Sequence, residues 1–139
     1  MPKVTISPKA SINAKDHPAV HVPGLKAGED LAPCTPAVIK ADGQGRFRVY
    51  AATSADTTID GITEPQTVPA GGVVALFGTG MRFHASDAGA LTPGRYGLTA
   101  VKREVDTAAT GTKFFRAVSK HDLQVISLGG DGRGERPPG

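Results

Sequence analysis

Residues 26–50, KAGEDLAPCTPAVIKADGQGRFRVY, decide the fold of this chain. Asp42-Gly43-Gln44-Gly45 is a tight reversal, and residues 47–51 after it alternate between apolar and polar side chains. Residues 31–39 before it are apolar on one face and contain two prolines, which a helix interior does not tolerate. The pattern predicts two antiparallel strands joined by a glycine-containing hairpin.

The composition indicates a small all-β domain. The chain has 139 residues, of which 18 are glycine and 11 are proline. Glycine and proline at this frequency interrupt long helices but are compatible with short strands and turns. A body of about 100 residues buries roughly two thirds of its unfolded surface, which is enough for a modest core. We therefore expect an all-β fold with appendages at both ends.

The residues that usually carry catalysis or bind metals form no recognisable pattern. The single cysteine, Cys34, excludes an internal disulfide and is expected to be a small buried hydrophobe. The four histidines, at positions 17, 21, 84 and 121, lack the spacing of metal ligands. No serine has nucleophile-elbow context and no glycine pattern is a dinucleotide fingerprint. We predict no enzymatic activity, no cofactor and no metal site.

Charge and hydropathy bear on partners and location. The net charge of +3 comes from scattered Lys and Arg, neither clustered nor interleaved with aromatic residues as in nucleic-acid-binding proteins. The first residues lack the apolar core of a signal peptide, and no apolar run approaches the length of a membrane span. We expect no nucleic-acid or membrane partner and synthesis in the cytoplasm.

Three regions follow from the pattern: an extended N-terminal arm over residues 1–22, a folded domain over residues 23–128 and a flexible tail over residues 129–139. The arm contains two strand-like stretches interrupted by prolines, so it is either frayed or added as a strand along another surface. The tail, GGDGRGERPPG, contains too few apolar residues to bury.

The later strands can also be placed. Residues 73–77, apolar at consecutive positions, predict a strand covered on both faces. Met81 and Phe83 are expected to face inward, and Leu98 is the expected core residue of the next strand. Residues 102–112 are polar and are expected to form a loop.

Taken together, the stretches AGEDLAPCTPAVIKADGQGRFRVYAATS, VPAGGVVALFGTGMRF, ALTPGRYGLTA and FFRAVSKHDLQVIS resemble the head decoration, or capsid cement, proteins of tailed bacteriophages. The likeness runs over about residues 24–128 and depends on the order of the motifs. It implies a small β-barrel or β-tulip that forms a homotrimer, binds the phage major capsid protein and lies on the outer surface of the virion head.

The resemblance also implies an arm that reaches neighbouring capsid subunits. The residues expected to contact the capsid lie on one face of the extended arm or carry its positive charge: Lys3, Val4, Ile6, Lys9, Val20 and Val22. Three aromatic side chains exceed what a small core is expected to hold, so they are predicted trimer contacts: Phe77, Phe83 and Phe114.

Two other functions remain open from the sequence. One is a receptor- or carbohydrate-binding module on the head surface, which would need exposed aromatic side chains. The other is a trimeric dUTP pyrophosphatase, since AGEDL and PGRYGL resemble two motifs of that family. The Arg-Ser phosphate loop of that family is replaced here by residues 99–102, so its phosphate and metal ligands are missing.

Overall fold

A computed structural model describes residues 3–9, 11–12 and 25–129 of the chain. These residues form short β-strands joined by turns and contain no helix, so the predicted all-β class is confirmed and no membrane-spanning helix occurs among them. In chain order the strands are β1 (Lys3–Thr5), β2 (Ser11–Ile12), β3 (Pro36–Ala41), β4 (Phe47–Ala51), β5 (Gly61–Thr63), β6 (Leu76–Phe77), β7 (Arg82–His84), β8 (Arg95–Leu98), β9 (Glu104–Asp106), β10 (Lys113–Ala117) and β11 (Asp122–Val125).

The strands form two antiparallel sheets. The larger sheet has the order β1-β9-β8-β10-β11-β7-β2 and curls into a half-barrel, and the smaller has the order β4-β3-β5-β6. The two edge strands of the larger sheet, β1 and β2, are consecutive in the sequence. Between them, Ile6 N donates to Arg103 O at 2.7 Å and Ser7 N donates to Ala85 O at 2.8 Å. Residues 3–9 and 11–12, here called the closing segment, therefore link the two edges of the curled sheet.

The predicted hairpin is confirmed, although its first strand is shorter than expected. Strands β3 and β4 pair antiparallel over five residues, and Gly45 in the turn has a φ of 79°. The first strand begins at Pro36 because Cys34 adopts a left-handed φ of 53°, which breaks the extended chain. Leu31, expected in the same strand, instead pairs with Val68.

Two of the later predictions need correction. In residues 73–77 only the last two form a strand, and Val73 is 69% exposed, so the run is not covered on both faces. The expected loop at 102–112 contains β9, whose Val105 is fully buried. The inward positions of Met81, Phe83 and Leu98 are confirmed.

The smaller sheet separates two hydrophobic cores. Successive side chains of a strand point to opposite faces, and Val38 faces the larger core while its neighbour Ala37 faces the smaller one. The larger core lies between the two sheets. The smaller core is made by seven residues: Ala27, Leu31, Ala37, Val49, Val68, Val74 and Leu76.

Candidate functional site

The structure separates the N-terminal residues that were expected to contact a capsid. Val4 and Ile6 are 6% and 1% exposed in the larger core, whereas Lys3 and Lys9 are exposed to solvent. The expectation that Val4 and Ile6 contact a capsid subunit is wrong for this conformation, because pairing of β1 with β9 turns alternate side chains inward. Two further residues of that set lie outside the described ranges: Val20 and Val22.

The predicted separation of residues 1–22 from the folded domain also needs correction. Its described strands, Lys3–Thr5 and Ser11–Ile12, belong to the larger sheet of the domain. The curl of the sheet leaves two edges whose backbone groups need partners. The arm provides them, so it is an added strand on its own domain. Most of the predicted tail, residues 130–139, lies outside the described ranges.

Arg103 fastens the closing segment to the rest of the domain. Its guanidinium donates to Ile6 O at 2.8 Å and Ser7 O at 2.6 Å, and it also donates to Thr35 Oγ1 at 2.9 Å and to Pro33 O. Burial lowers the pKa of this group from its ordinary value. The planar fork of an arginine has enough donors to serve four oxygens at once. Arg103 was not singled out from the sequence, since nothing near it marks a buried charge.

A second set of polar contacts holds the closing segment from its other side. Ser7 Oγ donates to Asp87 Oδ2 at 2.5 Å, and Asp87 Oδ1 lies 2.6 Å from His84 Nε2. The ring of His84 stacks on that of His121 with centroids 5.9 Å apart, and its Nδ1 lies 3.6 Å from Asp122 Oδ1. The Ser7 hydroxyl, followed by His84, lowers the pKa of Asp87. Asp87 therefore joins the closing segment to the turn after β7.

The two acids of the AGEDL motif act as structural acceptors. Glu29 Oε2 accepts a hydrogen bond from Ala51 N at 2.9 Å, and its other oxygen contacts Lys102 Nζ. Asp30 Oδ1 accepts one from Ala70 N at 2.9 Å. Both carboxylates satisfy backbone donors at the rim of the smaller sheet, so the motif stabilises the fold at this place.

Glycine is required at position 28 of the same motif because the Tyr50 ring lies close to the backbone there. A Cβ atom at Gly28 would lie 2.3 Å from the Tyr50 ring, so a side chain at this position would displace that ring. The motif also adds to the smaller sheet, since Ala27 pairs with Val49 of β4. Packing thus explains both the glycine and the apolar residues of the motif.

The predicted trimer contacts are in the wrong place for that role. Phe77, Phe83 and Phe114 are 5%, 1% and 1% exposed within the larger core. The expectation that a small core could not hold all three is wrong, because the second sheet and the closing segment enlarge it. Phe115 packs edge-on against both Phe83 and Phe114, with ring centroids 5.7 and 6.1 Å away.

Phe47, at the tip of the β3–β4 hairpin, is the most exposed large hydrophobic side chain of the described residues, at 74%. The hairpin that carries it is held by Asp42, whose Oδ1 accepts from Gln44 N at 2.8 Å and Arg46 N at 2.9 Å. The Arg46 Nε donates to the other oxygen at 2.9 Å. The turn thus presents an aromatic side chain to solvent on a braced support.

An apolar surface groove of about 440 Å³ lies at the end of β10. Its walls come from the turn before β8 and the turn between β10 and β11: Leu91, Thr92, Pro93, Ala117, Val118, Ser119 and Lys120.

The described residues contain no group of three or more His, Cys, Asp or Glu side chains placed to hold a metal ion. Cys34 is buried, as expected, and burial raises the pKa of its thiol to about 12, although the charge of Arg103 opposes the rise. A thiol with this pKa is almost wholly protonated at neutral pH and is a poor nucleophile.

No protein-family model, no curated protein and no solved structure matches the chain.

Proposed function

We propose that this chain is a structural virion protein that binds the outer surface of a phage capsid as a homotrimer and stabilises the expanded head. The observation that carries the proposal is the ordered set of motifs over residues 24–128 that resembles phage head decoration proteins. On this proposal the partner is the phage major capsid protein, and the protein is made in the host cytoplasm before it joins the virion.

The positions of these motifs in the fold support the proposal. AGEDL lies at the rim of the smaller sheet, the Asp-Gly motif is the β3–β4 hairpin, and PGRYGL contains β8. The closing motif, AVSKHDLQV, runs from the end of β10 through β11. The first two motifs thus belong to the smaller sheet and the last two to the larger one, as parts of a structural scaffold.

The surface groups suited to a capsid are an aromatic anchor and basic side chains. Phe47 is exposed on a braced hairpin, and Lys3 and Lys9 are exposed at the edge of the larger sheet. An aromatic side chain buried at the centre of an interface contributes more binding energy than most other residues. Three copies in one trimer would raise the effective concentration of each contact.

The carbohydrate-binding alternative gains no support from the aromatic residues. All seven lie in the described ranges, and five are buried: Phe77, Phe83, Tyr96, Phe114 and Phe115. Tyr50 is partly covered where its ring lies against Gly28. Phe47 alone does not make the stacking surface that a sugar ring usually occupies.

The proposal is tested by co-expressing the chain with the major capsid protein of the phage that encodes it. Expanded heads are then sedimented, and the bound protein is quantified by mass spectrometry. We expect binding by the wild type and a loss of at least tenfold for Phe47→Ser. Val101→Ser, which changes another exposed apolar residue, is the matched control and should bind normally. Failure of the wild type to sediment with heads would overturn the proposal.

The trimer is tested separately, by native mass spectrometry and sedimentation velocity at micromolar concentration. A stable monomer that also binds heads as a monomer would contradict the trimer and leave head binding intact.

A further inference from the structure

The closing segment is recognised in the way that proteins recognise an added strand. Its backbone pairs with β9 and β7, and Val4 and Ile6 insert into the core on alternate positions. Within the closing segment, Arg103 binds only backbone carbonyl oxygens, those of Ile6 and Ser7. Main-chain hydrogen bonds with pockets for alternate side chains are the features of β-strand addition.

The partners of the closing segment are far from it in sequence. The Ser7–Asp87 contact joins residues 80 apart, and the Ser7–Arg103 contact joins residues 96 apart. The same segment from a second copy would make the same contacts, because each partner atom belongs to the body over residues 82–106. An exchange that conserves every contact has a small free-energy cost.

The closing segment is held by short pairings at the two edges of the larger sheet. Strand β1 pairs with β9 over three residues, and β2 pairs with β7 over two. Short pairings at a sheet edge open at a lower free energy than the core of a domain. An opening confined to the closing segment would break these two pairings and the contacts of Val4, Ile6 and Arg103, while the pairings within the body stay formed.

The length of the linking chain allows the exchange. Residues 13–24 connect Ile12 to Leu25, and twelve residues span up to about 40 Å when extended. This length is comparable to the diameter of a domain of this size.

We propose that the space between β9 and β7, which the closing segment fills, is a strand-receptor site for a second copy of this chain, so that the closing segment of one copy completes the larger sheet of its neighbour. The exchange would give the oligomer an interface that contains core residues of both copies. It does not depend on capsid binding.

Paired cysteines test the exchange directly. In a Cys34→Ala background, Thr5→Cys and Glu104→Cys are introduced at residues that face each other across β1 and β9. The bond from Ile6 N to Arg103 O makes Thr5 and Glu104 a non-hydrogen-bonded pair, in which side chains lie closer together. Arg82→Cys with Gln124→Cys, a cross-strand pair within the body, is the control.

After oxidation, the product is separated on a denaturing gel without reductant. We expect the Thr5/Glu104 pair to give covalent dimers and larger species, and the control pair to give only a linked monomer. Lys3→Cys with Asp106→Cys provides a second pair in case the first disturbs the strand. A linked monomer from either pair overturns the proposal. The proposal is also overturned if both test pairs keep free thiols under conditions in which the control pair forms its disulfide.

Discussion

The two cores of this protein are stabilised in different ways. The larger core contains nineteen buried residues, five of them aromatic, whereas the smaller contains seven and no aromatic side chain. Hydrophobic stabilisation scales with the apolar area removed from water, so the smaller core contributes much less of it. Around the smaller core, four carboxylates each accept a hydrogen bond from a backbone amide. The pairs are Glu29 with Ala51, Asp30 with Ala70, Asp60 with Ile39 and Glu64 with Ala75.

The difference teaches how acidic residues in a glycine-rich chain should be interpreted. In the larger core, side-chain volume provides the stability, and polar groups serve mainly to attach the closing segment. In the smaller core, the loops are held by side-chain acceptors because there is little to bury. An AGED motif that looks catalytic in the sequence can thus have a structural role.

The largest expected effect is on the aromatic core. Phe115→Ala should lower the free energy of unfolding by about 3–5 kcal/mol, because it removes a fully buried ring that packs on two others. Leu31→Ala in the smaller core should cost about 2–3 kcal/mol. Urea unfolding measures both changes, with the exposed Phe47→Ala as a control within about 0.5 kcal/mol of wild type. Equal losses of unfolding free energy at the two sites would contradict the expected difference between the two cores.

The next effect concerns the attachment of the closing segment. Arg103→Met should cost about 3 kcal/mol, because it leaves carbonyl oxygens at Ile6, Ser7 and Pro33 without their donor. Amide hydrogen exchange should accelerate most over residues 3–9. Arg103→Lys keeps the charge but lacks the fork, so it should recover only part of the loss. Unchanged exchange over residues 3–9 in Arg103→Met would contradict this role.

A smaller effect is expected at the rim of the smaller sheet. Glu29→Ala should lower the unfolding free energy by about 1 kcal/mol, because Ala51 N loses its acceptor. Glu29→Gln keeps an oxygen in the same position and should retain most of the stability. If the two variants are equally destabilised in urea unfolding, the contact with Lys102 matters more than the backbone bond.

The smallest effect is a pH dependence of the closing segment. The pKa of Asp87 lies below its ordinary value of 3.8, mainly because of the Ser7 hydroxyl and then His84. A lowered pKa in the folded state gives stability that is present above pH 3.8 and is lost as the pH falls through the lower folded value. Urea midpoints between pH 2 and 6 should therefore fall less steeply at the acid end for Asp87→Asn than for wild type. Identical slopes would show that Asp87 does not titrate differently on folding.

Much of the fold could be predicted because it depends on local pattern. The turn residues at 42–45 and the alternation after them determine the hairpin, and Met81, Phe83 and Leu98 face inward as their alternation predicts. The strand at 104–106 was missed because it is short and polar at two of its three positions, and it forms through tertiary pairing with β1 and β8.

By itself, the sequence determined the all-β class, the hairpin and the burial of Cys34, since these depend on composition and on neighbours within a few residues. Only the tertiary structure decided that residues 3–5 belong to the larger sheet, that three phenylalanines fit in one core, and that Arg103 binds the closing segment. These features join residues separated by tens of positions along the chain. The local pattern contains no information on which distant partner a strand edge or a buried guanidinium will find, because that choice depends on how the sheets curl and pack.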